Sequence, residues 1–149
     1  MDLLDQLNAH FDAMPPVAAM QVRAVHFDGE RLRLRAPLAS NVNDKACAFG
    51  GSLTSLMTLA GWGLLTLKLQ QAGIRADVYV ADSQVRYLAP VYGDLEAEAW
   101  LAPEVDWPAV LSAWASRGRA RATVLARVPG AGEASAAELS GRFAALRPG

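Results

Sequence analysis

The chain has 149 residues, of which 52% are hydrophobic, and its formal net charge is -1. This length suits one domain with its own core, which we predict to span residues 1–149. The hydrophobic content excludes a disordered or fibrous chain. The near-neutral charge provides no broad basic field for a polyanion, so we predict no nucleic-acid partner.

Cysteine usage and the N-terminal residues bear on the compartment. Cys47 is the single cysteine, so the chain forms no internal disulfide, which fits a reducing compartment. The N-terminal stretch carries Asp2, Asp5 and Asp12 and no basic n-region, unlike a secretory signal. The apolar run 53–67 is shorter than the roughly 20 residues that cross a bilayer. We therefore predict a cytoplasmic protein without a membrane partner.

The first elements in chain order are a helix and two strands. Residues 1–13 have Leu3, Leu4, Leu7 and Phe11 at helical spacing, and Pro15-Pro16 is expected to end this helix. Residues 20–27 are typical of a strand that ends in an Asp28-Gly29 turn. Residues 31–36 alternate between arginine and an apolar residue, which predicts a half-buried strand.

A long apolar helix follows the loop 37–51 and is the most informative element. Residues 52–71 place apolar side chains on nearly every side of a helical wheel, and Lys68 is its only charged residue. Gly73 is expected to close the helix. A helix that is apolar all round has to be enclosed by the rest of the protein.

After this helix the pattern changes to a period of two. Residues 76–88, 95–101, 119–128 and 134–146 are predicted to be strands, and residues 107–116 a short helix capped by Asp106. Six strands and one buried helix predict an α+β fold in which an antiparallel sheet curls over the helix. Because second copies commonly cover open sheet edges, we expect a homodimer or a dimer of dimers.

Two stretches of the sequence carry a family resemblance. The first contains Asn43, Ala48-Phe49-Gly50-Gly51-Ser52 and Ala60-Gly61-Trp62-Gly63-Leu64-Leu65, and the second contains Asp82-Ser83, Tyr87, Pro90 and Gly93-Asp94. They resemble the hotdog-fold thioesterase superfamily, and within it the thioesterase domain at the C-terminus of YiiD-type acetyltransferases. The resemblance implies a hotdog fold, with the sheet wrapped around the central helix. It also implies hydrolysis of an acyl thioester by activated water at a dimer-interface site.

The resemblance assigns catalytic roles to four residues, and three of the assignments have a structural alternative. A backbone N–H of Gly51 or Ser52, at the positive end of the helix, would stabilise an oxyanion, although Gly50-Gly51 could equally form a tight turn. Asp82 would activate water, or it could be a solvated carboxylate or a partner of Arg86. Asn43 would orient the water or the carbonyl, or it could form an Asx-turn.

The remaining predictions concern the ligand. The residues expected to contact the substrate are Phe49, Gly50, Thr58, Ser83 and Tyr87. The partner is expected to be an acyl-CoA or an acyl carrier protein thioester, with coenzyme A as part of the substrate and no other cofactor. We predict no metal site, because the two histidines have no metal-ligand spacing.

A second function competes with hydrolysis. Many better-known hotdog thioesterases carry a histidine at the position of Phe49 and a carboxylate at the position of Thr58. Since the usual base on the helix is absent here, a non-catalytic acyl-thioester-binding or dimerisation module is the alternative. A hotdog dehydratase or hydratase ranks last, because it needs a histidine paired with an acid in the site, and neither histidine is placed for that.

Overall fold

The computed structural model describes residues 2–149, so the predicted helix start at Met1 lies outside the described residues. Its helices are α1 (Leu3–Ala13), α2 (Pro15–Met20), α3 (Gly50–Gln71) and α4 (Trp107–Arg117). Its strands are β1 (Arg23–Phe27), β2 (Arg31–Ala36), β3 (Asp77–Tyr87), β4 (Leu95–Leu101), β5 (Arg119–Pro129) and β6 (Ser135–Leu146). The predicted α+β class is confirmed.

The six strands form one antiparallel sheet in the order β1-β2-β4-β5-β6-β3. Helix α3 lies against the inner face of this sheet and contacts every strand from β2 to β6. Alternate residues of β5 enter the core, with Ala120, Ala122, Val124 and Ala126 buried. The sheet around a long central helix is the hotdog architecture, as the family resemblance implies.

Glycines in the middle of α3 let the sheet approach the helix closely. A Cβ atom on Gly61 would lie 2.7 Å from Cζ of Phe143 on β6, and that ring is fully buried. A Cβ on Gly63 would lie 2.8 Å from Leu32 on β2. Because these distances are below van der Waals contact, any larger residue would push the sheet away from the helix.

The N-terminal region differs from the prediction. Pro15-Pro16 ends α1 near the expected place but also begins α2, because proline is well tolerated in the first turn of a helix. Gln21 then adopts a left-handed conformation with φ 58°, and β1 begins only at Arg23. The predicted strand start at residue 20 is therefore wrong.

The loop before α3 also contains local structure. Leu38–Ser40 forms a single 3-10 turn, and Val42 pairs with Ala48 in an isolated β-bridge. Helix α3 begins at Gly50, two residues before the predicted start, so the Gly-Gly pair forms its first turn. No helix within residues 2–149 is long and apolar enough to cross a membrane.

Strand β3 occupies one edge of the sheet and pairs only with β6. The register with β6 sets its two faces, since directly paired residues share a face. Ser83 and Val85 pair with Gly141 and Leu139, which are buried toward α3, so they lie on the inner face. Asp82 pairs with the exposed Arg142 and therefore lies on the outer face.

Candidate active site

The first turn of α3 presents free backbone donors. The amides of Gly50 and Gly51 have no hydrogen-bond acceptor among the described residues, as is usual for the first turn of a helix. The amide of Ser52 already donates to the carbonyl of Phe49 at 2.9 Å. Of the two donors predicted for an oxyanion, Gly51 is thus available, and Ser52 is engaged. Gly50 adds a second free donor.

Two aromatic rings flank these donors. Phe49 folds back over Gly51, where an added Cβ would lie 2.5 Å from its Cε2. Tyr87 lies over Gly50, with its Cε1 3.5 Å from the corresponding position. Both rings are more than half exposed, at 55% and 58%. The absence of side chains at the Gly-Gly pair therefore creates the space in which the two rings sit.

The hydroxyl groups nearby belong to α3 and to the inner face of β3. Tyr87 forms a short hydrogen bond with Thr54, one turn into α3. Thr58, on the next turn, donates its hydroxyl to the carbonyl of Thr54 at 2.8 Å. Further along, the indole of Trp62 donates to the carbonyl of Val78 at 2.8 Å, which anchors the other end of β3 to the helix.

The sequence does not indicate a role for Thr54. Its signal was weak, since a threonine in a helix usually has only a structural role, and its partner Tyr87 is 33 residues away. The structure brings together Phe49, Gly50, Gly51, Thr58 and Tyr87 around it. Ser83 shares the inner face of β3 and lies between the two points at which that strand is anchored to α3.

Asp82 lies apart from this group, on the outer face. Its carboxylate forms two hydrogen bonds with the guanidinium of Arg142, one of them 2.8 Å from Nε to Oδ1. The hydrogen bond from Arg142 lowers the pKa of Asp82, and the nearby charges of Arg142 and Arg121 lower it further. The carboxylate is therefore ionised at neutral pH, and its expected alternative partner, Arg86, is not the one it binds.

The backbone around Asp82 is irregular. The pairing of β3 with β6 shifts register between Val80 and Asp82, which indicates a β-bulge at Ala81. Bulges at sheet edges commonly redirect a side chain and are frequent next to active sites. Asp82 is 54% exposed, so its carboxylate can be reached from the free edge of the strand.

Asn43 is engaged within its own loop. Its Oδ1 accepts hydrogen bonds from the amides of Lys45 at 2.7 Å and Cys47 at 3.2 Å, and its Nδ2 donates to the sulfur of Cys47. This is the Asx-turn arrangement that the sequence left open. Cys47 itself is buried, and its thiol forms no disulfide. Within residues 2–149, no three His, Cys, Asp or Glu side chains are grouped closely enough to hold a metal ion.

The family follows from a comparison with known proteins. Residues 4–147 match the profile of the family described as "Putative thioesterase (yiiD_Cterm)". The chain belongs to this thioesterase family. The match covers nearly the whole described sequence, including the first turn of α3, the Thr54–Tyr87 pair and Asp82.

Solved structures agree with this family assignment. A Chlorobaculum tepidum protein of unknown function is 29% identical, with a TM-score of 0.92, over 98% of this chain and 95% of that one. A Shewanella oneidensis thioesterase, itself named as putative, is 28% identical, with a TM-score of 0.86, over 97% of each chain. A Haemophilus influenzae thioesterase shares the fold at 13% identity, with a TM-score of 0.74, over 99% and 92% of the two chains.

Proposed function

We propose that this thioesterase-family protein hydrolyses an acyl thioester carried on coenzyme A or on an acyl carrier protein, in the cytoplasm. The observation that carries the proposal is the pair of unpaired amides at Gly50 and Gly51, at the positive end of a buried helix. Such donors stabilise the negative charge that develops on a thioester oxygen when water attacks its carbonyl carbon.

The reaction consumes one water and releases a thiol. The water oxygen bonds to the carbonyl carbon, the oxyanion lies against the Gly50 and Gly51 amides, and the carbon–sulfur bond then breaks. The proton removed from the water passes to a base and then to the departing sulfur. The products are a carboxylic acid and the free thiol of the carrier. Phe49, Thr58, Ser83 and Tyr87 would form the walls that hold the thioester against the amides.

We assign the role of base to Asp82, which is ionised as a base must be. Because Asp82 faces away from the Gly50-Gly51 amides of its own chain, we place it in a site shared between two copies of the chain at the free edge of β3. The adjacent β-bulge and the exposure of the carboxylate at that edge support this assignment. For this role the carboxylate has to exchange Arg142 for water, which is feasible because exposed ion pairs are weak. We assign no direct contact with the substrate to Asn43, whose amide holds the 43–47 loop that leads into α3.

A panel assay tests hydrolysis and the base together. Release of free thiol would be measured with short-, medium- and long-chain acyl-CoAs and with one acyl carrier protein thioester. We expect turnover by the wild type and a loss of about 100-fold or more in Asp82→Asn, the usual effect of removing a general base. Asp44→Asn is the matched control, because Asp44 is also exposed and ion-paired, with Lys45. Equal rates in both variants would remove Asp82 from the mechanism.

A specific observation favours a second function, acyl-thioester binding without turnover. Asp82 is held by Arg142 on the face of β3 turned away from α3, while the identified groups around Gly51 are hydroxyls and aromatic rings. Titration with a non-hydrolysable acyl-CoA thioether separates the two functions. Binding that Gly51→Ala weakens, together with no thiol release from any thioester tested, would establish the binding module.

We also propose that the protein is a homodimer joined through β3. This strand has a free edge and carries three exposed large hydrophobic side chains, Tyr79, Val80 and Tyr87, and the exposed Leu88 follows it directly. Free edges of this kind are commonly covered by the same strand of a second copy. Light scattering on the purified protein should give twice the chain mass, and Val80→Asp should give a monomer. A monomeric wild type would contradict the dimer.

A further inference from the structure

One side of α3 is left incompletely covered by the rest of the chain. Between Leu53 and Leu69, the residues that are not buried are Thr54, Ser55, Thr58, Leu59, Trp62 and Thr66. Residues at this spacing lie on one side of a helix. Gly51, which is exposed, continues the stripe toward the free amides at the start of the helix. The uncovered stripe therefore begins at the candidate site and runs along α3.

The inner face of β3 lies beside this stripe. Thr54 and Trp62, eight residues apart on α3, each form a hydrogen bond to β3. Between these two contacts the inner face of the strand carries Val80, Ser83 and Val85, none of which is buried. The uncovered side of the helix and the uncovered face of the strand together form a groove that opens toward the free edge of the sheet.

The walls of this groove are uncharged. The charged residues of β3 in this stretch, Asp82 and Arg86, lie on the outer face of the sheet. The hydroxyl of Thr58 donates to the carbonyl of Thr54, and the hydroxyl of Thr54 bonds to Tyr87, so both are already satisfied. Uncharged walls whose polar groups need no further partner suit a hydrocarbon chain rather than a charged carrier.

Trp62 is held in a fixed position at the far end of the groove. Its indole N–H donates to the carbonyl of Val78 at 2.8 Å, which places the side chain between helix and strand. His10 and Phe11 pack against the same ring, with centroids 6.1 and 6.3 Å from it. Because a hydrogen bond and two ring contacts hold the indole, it forms a rigid end wall.

Further space lies on the other side of this wall. A cavity of about 400 Å³ extends from Trp62 along the C-terminal part of α3. Its wall is part apolar, with Leu69 and Ile74, and part charged, with Arg75 and Asp77. The Trp62 indole thus separates the groove from a space that a longer chain would otherwise enter.

We propose that Trp62 limits the length of the acyl chain and that the substrates are medium-chain acyl thioesters. Gly51 and Trp62 are eleven residues apart, which corresponds to about 16 Å along the helix axis. Three bonds of an extended chain span about 3.6 Å, so the groove accommodates roughly 13 bonds, or an acyl group of about 12 carbons. The proposal rests on the thioester hydrolysis proposed above and names its substrate class.

The first measurement is a chain-length profile of the wild type. Thiol release would be followed with saturated acyl-CoAs of 4, 8, 12 and 16 carbons, each kept below the concentration at which it forms micelles. We expect kcat/KM to rise from 4 to 12 carbons, because each buried CH₂ group favours binding. It should then fall about tenfold or more at 16 carbons, where the chain meets the indole. A profile that keeps rising to 16 carbons would overturn the proposal.

Two substitutions should move the limit in opposite directions. Trp62→Ala removes the end wall, so the ratio of kcat/KM for 16 carbons to that for 8 carbons should rise about tenfold or more. Thr58→Phe adds a ring one turn nearer to Gly51, so kcat/KM for 12 carbons should fall about tenfold relative to 8 carbons. Such ratios do not depend on the amount of folded protein. Trp100→Ala is the control, because this indole lies on the outer face of the sheet, against Arg31.

Binding measurements separate this proposal from the proposed hydrolysis. Non-hydrolysable acyl-CoA thioethers of the same lengths would be titrated calorimetrically into the wild type and Trp62→Ala. An affinity that peaks near 12 carbons only in the wild type, with no thiol release from any thioester, would support the groove and overturn hydrolysis. Thiol release with unchanged ratios in both Trp62→Ala and Thr58→Phe would overturn the role of Trp62 and leave hydrolysis in place.

Discussion

The hydroxyl of Tyr87 on β3 hydrogen-bonds the hydroxyl of Thr54 on α3, directly beside the Gly50-Gly51 turn. This contact joins the last residue of the edge strand to the first part of the central helix. It also fixes the Tyr87 ring over Gly50, where the free amides lie. The geometry of the candidate site thus depends on a bond between two elements that are distant in sequence.

Removing the Tyr87 hydroxyl should impair catalysis more than stability. Tyr87→Phe keeps the ring over Gly50 but loses the bond to Thr54, so we expect kcat/KM for thioester hydrolysis to fall about five- to tenfold, the scale of one hydrogen bond. Tyr92→Phe is the matched control, since Tyr92 is 69% exposed. The measurement is steady-state thiol release, with the Tm of each variant as a check. Equal kcat/KM in both variants would contradict the role of this pair.

Adding a methyl group at Gly51 should displace Phe49. Because the new Cβ would lie 2.5 Å from the Phe49 ring, and this ring is exposed enough to move, we expect the protein to fold normally. The displaced ring would alter the approach to the free amides, so kcat/KM should fall between about tenfold and about 100-fold. Gly93→Ala is the control, because nothing lies within 4 Å of the added atom.

The effects of substitutions at Gly51 and Phe49 on kcat/KM should be coupled. In a Phe49→Ala background the ring is gone, so Gly51→Ala should have a much smaller effect on kcat/KM than it has in the wild type. The double-mutant cycle measures this difference. Additive losses would show that the methyl group acts on the substrate itself rather than through Phe49.

The ion pair between Asp82 and Arg142 should set the acid limb of the pH–rate profile. The pKa of Asp82 is lowered below 3.8 by the hydrogen bond from Arg142, so the carboxylate loses its charge only in more acidic solution. We therefore expect the acid limb of kcat/KM in the wild type to lie at lower pH than an aspartate with its ordinary pKa would give. In Arg142→Gln the pKa should rise toward its ordinary value, and the acid limb should move to higher pH with it.

The same pair makes a contribution to stability with a defined sign. The pKa of Asp82 is lower in the folded protein than in the unfolded chain. The ion pair therefore stabilises the fold fully at pH values above the unfolded-state pKa, and this stabilisation is lost as the pH falls through the folded-state pKa. Asp28 offers a control, since the amides of Arg31 and Glu30 lower its pKa in the same direction at a site unrelated to catalysis. Asp28→Asn should therefore change acid stability but leave the acid limb of kcat/KM in place.

Regular patterns made most of the fold predictable. The strand Arg31–Ala36 was predicted with its observed bounds because alternation of arginine and apolar residues has one interpretation. The central helix was predicted to within two residues of Gly50–Gln71 because an all-apolar helix requires enclosure. Helix α2 was missed, because two prolines indicate the end of one helix and the start of another equally well.

The candidate site was less predictable than the fold, for a physical reason. Family motifs indicate Gly50, Gly51 and Tyr87, but the bond from Tyr87 to Thr54 depends on how β3 crosses the helix. The direction of Asp82 depends on the bulge in β3, which shifts the alternation by one residue. Long-range contacts and bulges leave no local pattern, so only the structure reveals them.

The close approach of β6 to α3 gives a prediction about stability. Gly61→Ala should improve helix propensity by about 1 kcal/mol but place a Cβ 2.7 Å from the buried Phe143 ring, an overpacking that costs about 1–3 kcal/mol. We expect overpacking to prevail because Val124, 3.4 Å from the same position, and the fully buried ring leave little room to relax. Thermal unfolding should show a lower Tm, and Phe143→Leu in the Gly61→Ala background should recover part of the loss. A Tm above that of the wild type would mean that the sheet can move away from the helix at little cost.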